Sequence, residues 1–415
     1  MQKVERRVSG GPGSPEAGGL PRVRFGVLTG AVVVAAALGY GVERVGETRM
    51  LALYAIALLL GVALYHARFG FTSAFRQLVT VGQGAGLRAH MLMIAAASLL
   101  FAPILAYGIG VGGIHPSGYV YPLGLSVAVG AFMFGVGMQL GGACASGSLY
   151  TVGGGETRIV LTLFGFVVGS VLGAWNWGFW TQEAFNWRTI SLADTRFGYA
   201  GAVVIQLAIV AAIVVVSRAV ERRKRPPKYA PRPHASGLAR TVRGTWPLWA
   251  GALALAVLNA ATLVLSGKPW GITSAFALWG SKAAQAVGVD VGSWSYWSGD
   301  KAAALHAPVL SDVTSVMDFG IILGAMAAAA AGGTFAIQRR VPLKAAAAAI
   351  VGGILMGYGA RIAYGCNIGA YFGGVASFSL HGWLWLVMAL AGTYLGTRLR
   401  PLFGLPNPKP EDSSC

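Results

Sequence analysis

The chain has 415 residues, 55% of them hydrophobic and only 11% charged, with 61 glycines and a formal net charge of +18. Soluble domains carry about 25% charged residues, so an ordinary soluble fold is excluded. The apolar residues gather in blocks of about 20, the length of a membrane-crossing helix. The three cysteines, Cys144, Cys366 and Cys415, are odd in number and far apart, which argues against a disulfide framework.

In chain order, ten spans are predicted, at about 24–43, 49–66, 88–108, 122–145, 157–178, 198–218, 246–266, 314–337, 343–366 and 381–398. The fold class is therefore all-α, a polytopic integral membrane protein. With the N-terminus in the cytoplasm, the inside segments hold 24 of the 32 Lys and Arg residues and six acids. The outside loops hold seven bases and seven acids. The whole excess is thus positive-inside bias, which accounts for the charge without nucleic acid and places both termini on the cytoplasmic side of a bacterial inner membrane.

Residues 1–23 read as a basic cytoplasmic tail rather than a cleaved signal peptide. Residues 24–218 form the first membrane half, with a repeat from about 49 to 218 and an extra N-terminal helix. Residues 219–245 are a basic linker, 246–398 the second half and 399–415 a tail. From Arg218 to Arg243 the chain carries nine Lys and Arg and prolines at 226, 227, 231 and 233, a composition that buries no apolar face and predicts a flexible, solvated connection. Cys415, at the end of EDSSC, reads as a free thiol in a polar tail.

The two halves repeat each other. FGFTSAF, Phe69 to Phe75, and WGITSAF, Trp270 to Phe276, share five of seven positions, and each follows a strong span. Further on, GMQLGGACASGSLYTVGGG (Gly137 to Gly155) matches GYGARIAYGCNIGAYFGGVAS (Gly357 to Ser377) in placing Gly, then Cys, at the end of a span. Counting spans, the helix before the first motif runs inward and the one before the second runs outward, so the halves are expected to be inverted repeats. In that arrangement sites lie near the midplane and are built from broken helices.

Segments 69–80, 146–156, 270–282 and 368–380 are rich in Gly, Ser, Thr and Asn, which suits non-helical backbone only where it is buried or lines a cavity. They are predicted as short re-entrant segments whose helix ends, with unpaired N–H groups and a favourable dipole, suit a small anion. The candidate pathway residues are Thr72, Ser73, Gly142, Cys144, Thr273, Ser274, Arg361, Gly365, Cys366 and Asn367. Neutral thiols with large, polarizable sulfurs could contact a sulfur-bearing solute in succession. Arg361, the one base within a span, either draws in an anion or pairs with Asp318, the one intramembrane acid. His381, Trp383 and Trp385 are expected as interfacial anchors. There is no phosphate loop, no metal-ligand spacing, no cofactor motif and no catalytic Ser/His/Asp set, so the chain reads as a non-enzyme with a facilitated or sink-driven path.

GGACASG (Gly141 to Gly147), GARIAYGCNIGAYFGG (Gly359 to Gly374) and HGW at 381–383 are similar to signatures of the YeeE/YedE family of sulfur-transport proteins, over about 50 to 398. The resemblance implies uptake of thiosulfate or a related small sulfur compound, in some members selenium-associated, with Cys144 and Cys366 as relay thiols. It also implies a small soluble sulfurtransferase carrier on the cytoplasmic side. In one respect this chain departs from the pattern: thiosulfate-transporting members have a further cysteine in the first re-entrant motif, where Thr72 and Ser73 stand here. Two alternatives stay open. One is a transporter or channel for another solute, with the cysteines as packing. The other is a membrane thiol-redox enzyme, which needs the two sulfurs to approach to about 2 Å.

Overall fold

The computed structural model describes residues 20–45, 48–227, 235–338 and 340–409. The expected basic tail up to residue 19, the centre of the linker (228–234) and Cys415 lie outside these residues. Among the described residues the protein is all-α, with no β-strand. Nine helices or consecutive helix pairs among the described residues are long and apolar enough to cross a membrane, so the chain is a polytopic membrane protein.

The first half comprises α1 (Phe25–Val45), α2 (Thr48–Ala67), α3 (Phe71–Val81), α4 (Ala85–Tyr107), α5 (Leu125–Gly141), α6 (Ala145–Gly153) and α7 (Thr157–Trp175). After α8 (Gly198–Lys224) and the linker come α9 (Leu248–Ser266), α10 (Thr273–Ala286), α11 (Val313–Ala331), α12 (Leu343–Ile362), a π-helix (Asn367–Gly373) and α13 (Leu380–Leu399). The basic stretch after residue 218 starts as helix: α8 runs on to Lys224, where Arg222, Arg223 and Lys224 fill its last turn and complement the negative end of the helix dipole.

The sequence predicted one span over 122–145. The structure interrupts it, with α5 ending at Gly141 and α6 starting at Ala145. Gly142 lies between them with φ +87°, a left-handed backbone that glycine adopts without a steric penalty. In the second half Tyr364, with φ +60°, and Gly365, with φ +150°, make the same break between α12 and the π-helix. A non-glycine residue in this region is uncommon, and π-helical turns recur at functional sites.

Helix packing is mirrored across the two halves. α2 packs on α11 as α9 packs on α4; α7 packs on α12 as α13 packs on α5; α3 meets α13 as α10 meets α7. α1 lies on α11 as α8 lies on α4. These pairings all join one half to the other, and α2 with α9, α5 with α12, and α6 with the π-helix bring equivalent elements of the two halves together.

Close packing rests on small residues, because lipid offers no hydrophobic drive for helices to associate. α7 carries Gly165 and Gly169, and α12 carries Gly353 and Gly357, each pair four residues apart. A Cβ on Gly169 would lie 2.2 Å from the Ile354 carbonyl oxygen, and one on Gly357 would lie 2.1 Å from that of Phe166. These backbones touch, which brings the broken segments to the centre of the molecule.

Candidate functional site

Each cysteine stands at the start of a helix that resumes after a break. Cys144 is the N-cap of α6, and its Sγ accepts from the Gly147 N–H at 3.4 Å. Cys366 is the N-cap of the π-helix, and its Sγ accepts from the Ile368 N–H at 3.4 Å. Both are 1% exposed and both are free thiols. Cys366 is within electrostatic reach of Cys144, and α6 touches the π-helix. A sulfur at a helix N-terminus sits beside unpaired N–H groups and the positive end of the dipole. The same place therefore offers an anion both soft and hydrogen-bonding partners.

A cavity of about 250 Å³ lies on the face opposite the linker. Thr273, Ser274, Arg361, Gly365 and Gly369 line it from the second half, and Tyr119, Tyr121, Trp177, Tyr296, Lys301 and Tyr364 close it from loops and helix ends. Arg361 Nη2 donates to the Thr273 carbonyl at 2.8 Å and approaches Thr273 Oγ1 at 3.3 Å. Its Nη1 donates to the Tyr296 hydroxyl, and its guanidinium lies 4.9 Å from the centre of that ring. Lys301 Nζ is 4.2 Å from the same ring centre. Tyr121 stacks on Tyr364 with centroids 4.9 Å apart. Burial pushes the Tyr121 phenol up to about 12 and the Tyr119 phenol higher still, so both remain neutral hydroxyl donors. Two cations and several hydroxyls thus converge on one small space, a setting for a compact anion.

On the linker face a cavity of about 450 Å³ is lined by Gly70, Ser73, Arg68, Arg76, His90 and Trp246, among others. Ser73 Oγ donates to the Gly70 carbonyl at 3.1 Å. The Tyr150 hydroxyl lies close to Gly70 and within electrostatic reach of Cys144, which links this cavity to the first cysteine. Gly142 faces Arg158, whose Nη2 lies 2.4 Å from where a Cβ would stand. Just past α13, burial and the neighbouring Arg76 and Arg158 push the Arg400 guanidinium down to about 9. The mouth of this face is therefore strongly basic.

The expected residues thus fall into two groups. Thr273, Ser274, Arg361 and Gly365 line the far cavity, with Cys366 next to Gly365; Ser73 lines the linker-face cavity. Ser274 Oγ donates to Thr314 Oγ1 at 3.0 Å. Thr72 is buried; its carbonyl accepts from Gln139 Nε2 at 3.3 Å, and its own Oγ1 finds no partner among the described residues. Asn367, 1% exposed, likewise leaves both amide atoms unpaired. Groups of this kind are costly unless something binds them.

Several readings change. Arg361 bonds to Thr273 and Tyr296 rather than to Asp318, whose two carboxylate oxygens have no partner among the described residues. His381 and Trp385, expected as interfacial anchors, are fully buried. His381 Nδ1 is 2.7 Å from Ser379 Oγ, and the Trp385 indole donates to the Gly365 carbonyl at 3.3 Å. The pair support the second break rather than the membrane surface. Lys301 and the aromatic wall were missed because they come from connecting segments that the motifs do not mark. The one local signal was Tyr364, two residues before Cys366.

The paired helix breaks, the buried thiols and the cavities on opposite faces are carried by an all-α polytopic membrane protein. The family model for sulphur transport matches residues 66–395, and the chain belongs to that family. Among curated relatives, the probable transporter YedE of Escherichia coli (strain K12) is 31% identical over 163 residues, 39% of this chain and 40% of that protein. The thiosulfate transporter TsuA of Spirochaeta thermophila is 27% identical over 359 residues, 82% of this chain and 95% of that protein. TsuA of Escherichia coli (strain K12) is 25% identical over 361 residues, 82% and 92% respectively. The match to YedE thus spans about two fifths of that relative, while the matches to TsuA run nearly end to end.

Proposed function

We propose that this protein is a permease for thiosulfate or a related small sulfur-bearing anion. The anion enters the cavity beside Arg361 and Lys301, passes Cys366 and Cys144, and leaves beside Ser73 on the linker face. The observation that carries this reading is the equivalence of the two cysteines: each is buried, free and N-capping at a helix break, and the cavities beside them open toward opposite faces. The cations draw the anion in, the tyrosine hydroxyls replace part of its hydration, and the helix N-termini stabilise its charge where water is excluded. The thiols act as soft contacts for the terminal sulfur, and no bond of the anion is made or broken.

The mirrored packing supports inverted repeats. Because α1 and α8 occupy matching positions, we take α1–α7 and α8–α13 as the two units. The basic linker marks its own face as cytoplasmic, with both termini on that side of a bacterial inner membrane. A soluble sulfurtransferase carrier receiving the anion at the linker face extends the same reading.

The test is uptake of labelled thiosulfate, and growth on thiosulfate as sole sulfur source, in a bacterium deficient in sulfur uptake. Cys144→Ala and Cys366→Ala should each abolish uptake while membrane insertion is retained; unchanged uptake in both refutes the relay. Ser73, standing where thiosulfate-transporting relatives are expected to carry cysteine, favours a second reading in which a harder oxyanion is preferred. Competition by sulfite and selenite against thiosulfate separates the two.

A further inference from the structure

Two ionisable side chains inside the bundle are given no role in the pathway described above. His90 is the sixth residue of α4 and Asp318 is the sixth residue of α11, and these helices occupy matching positions in the mirrored packing. His90 is 1% exposed and Asp318 is fully buried. Among the described residues, His90 Nδ1 and both Asp318 oxygens lack a hydrogen-bond partner. Structural burial of a charge normally comes with pairing, so an acid with neither oxygen paired and an imidazole with a free Nδ1 at one register position call for another account.

Their settings mirror each other. α4 starts at the linker face, and His90 lines the cavity there beside Ser73. Its ring stacks on Phe71 of the first re-entrant motif, with centroids 4.3 Å apart, and touches Phe69 and Phe75. α11 starts at the far face, where Thr314 holds Ser274 of the second motif, and Asp318 lies within electrostatic reach of Cys366. Each group thus sits at the same register from the start of its helix, His90 against the first re-entrant motif and Asp318 one turn past Thr314, which bonds the second.

We propose that Asp318 and His90 are the entry and exit sites for protons that move with the anion, making the permease a proton symporter rather than a facilitated path. An anion moving inward works against an inside-negative potential, and each accompanying proton reduces that opposition. Asp318 takes a proton from far-face water when the anion occupies the site beside Cys366. Asp318 gives that proton up inward as the anion moves on, and His90 accepts it and passes it to the linker-face cavity as the anion leaves, so one proton enters for each one released. The charged and titratable groups around Asp318 are Asp312, which caps α11, together with Cys366 across the centre. Those around His90 are His66, Arg68 and Arg76 in the same cavity, the Arg88–Glu221 ion pair on α4 and α8, and Tyr371, which packs on Phe71 and Phe75.

The inference rests on the permease reading, and the test keeps the two apart. The full chain is reconstituted in vesicles with labelled thiosulfate, a lumenal pH dye, and valinomycin with equal potassium on both sides to hold the potential at zero. In the wild type, an inward gradient of about one pH unit should raise the accumulation ratio about tenfold for each coupled proton. Thiosulfate added without a gradient should acidify the lumen. Asp318→Asn and His90→Gln should lose the gradient response. If label equilibrates but the wild-type ratio stays at one and lumenal pH does not move, the proton inference is overturned and the permease reading stands. If label never equilibrates, the permease reading falls and the inference with it. Retention of the full gradient response by both variants also overturns the inference. If a variant fails to fold, the wild-type measurements decide.

Discussion

Gln139 and Arg361 make the same bond in the two halves. Each stands five residues ahead of its cysteine, and each donates to the carbonyl of the threonine in its own TSAF motif: Gln139 Nε2 to Thr72 at 3.3 Å, Arg361 Nη2 to Thr273 at 2.8 Å. The repeat fixes the geometry, and the side-chain type breaks the symmetry. A positive charge faces the far cavity where a neutral amide stands on the linker side.

Arg361→Gln should therefore keep the bond to Thr273 and delete only the charge. A hydrogen bond to a charged group is worth about 1.5–3 kcal/mol, so the KM for thiosulfate presented at the far face should rise by about ten- to a hundredfold. Uptake kinetics in right-side-out vesicles measure this. An unchanged KM removes Arg361 from anion capture.

Lys301 acts at longer range, from the cavity mouth over the rings of Tyr296 and Trp177. Lys301→Ala should slow uptake at low ionic strength and converge on the wild-type rate as salt is raised, because screening shortens electrostatic reach to about 3 Å at 1 M salt. A deficit that is constant with salt would point to packing instead.

Ser73→Cys restores the thiol that the family pattern leads one to expect. Ser73 lines the linker-face cavity, so the new cysteine should react with a maleimide supplied from that face, and bound thiosulfate should protect it. Lack of protection places Ser73 off the route.

Gly169→Leu should destabilise the bundle, since even a Cβ would lie 2.2 Å from the Ile354 carbonyl oxygen. Overpacking of this kind costs about 1–3 kcal/mol or more, visible as a lowered unfolding temperature or loss of a monodisperse peak in detergent. Gly26→Leu on α1, with nothing within 4 Å among the described residues, is the control and should leave both unchanged.

Sequence alone determined the class, the approximate spans and the glycine-rich segments near which the helices break; the structure set the breaks themselves, at Gly142 and at Tyr364–Gly365. Apolar length is set by the thickness of the bilayer, and glycine- and hydroxyl-rich stretches cannot face lipid. The paired TSAF and Gly-Cys motifs carried the repeat in plain letters, and GCNIGA carried the family. Tertiary structure alone decided which side chains meet. It gave Arg361 to Thr273 and Tyr296 and left Asp318 without a partner among the described residues. It drew His381 and Trp385 into the core, and it matched α1 with α8 across a chain separation that no local motif marks. Hydropathy fixes how deep a residue sits but not which way it faces. Direction follows from the close approach of glycine-bearing helices, and that contact exists only once both halves have packed.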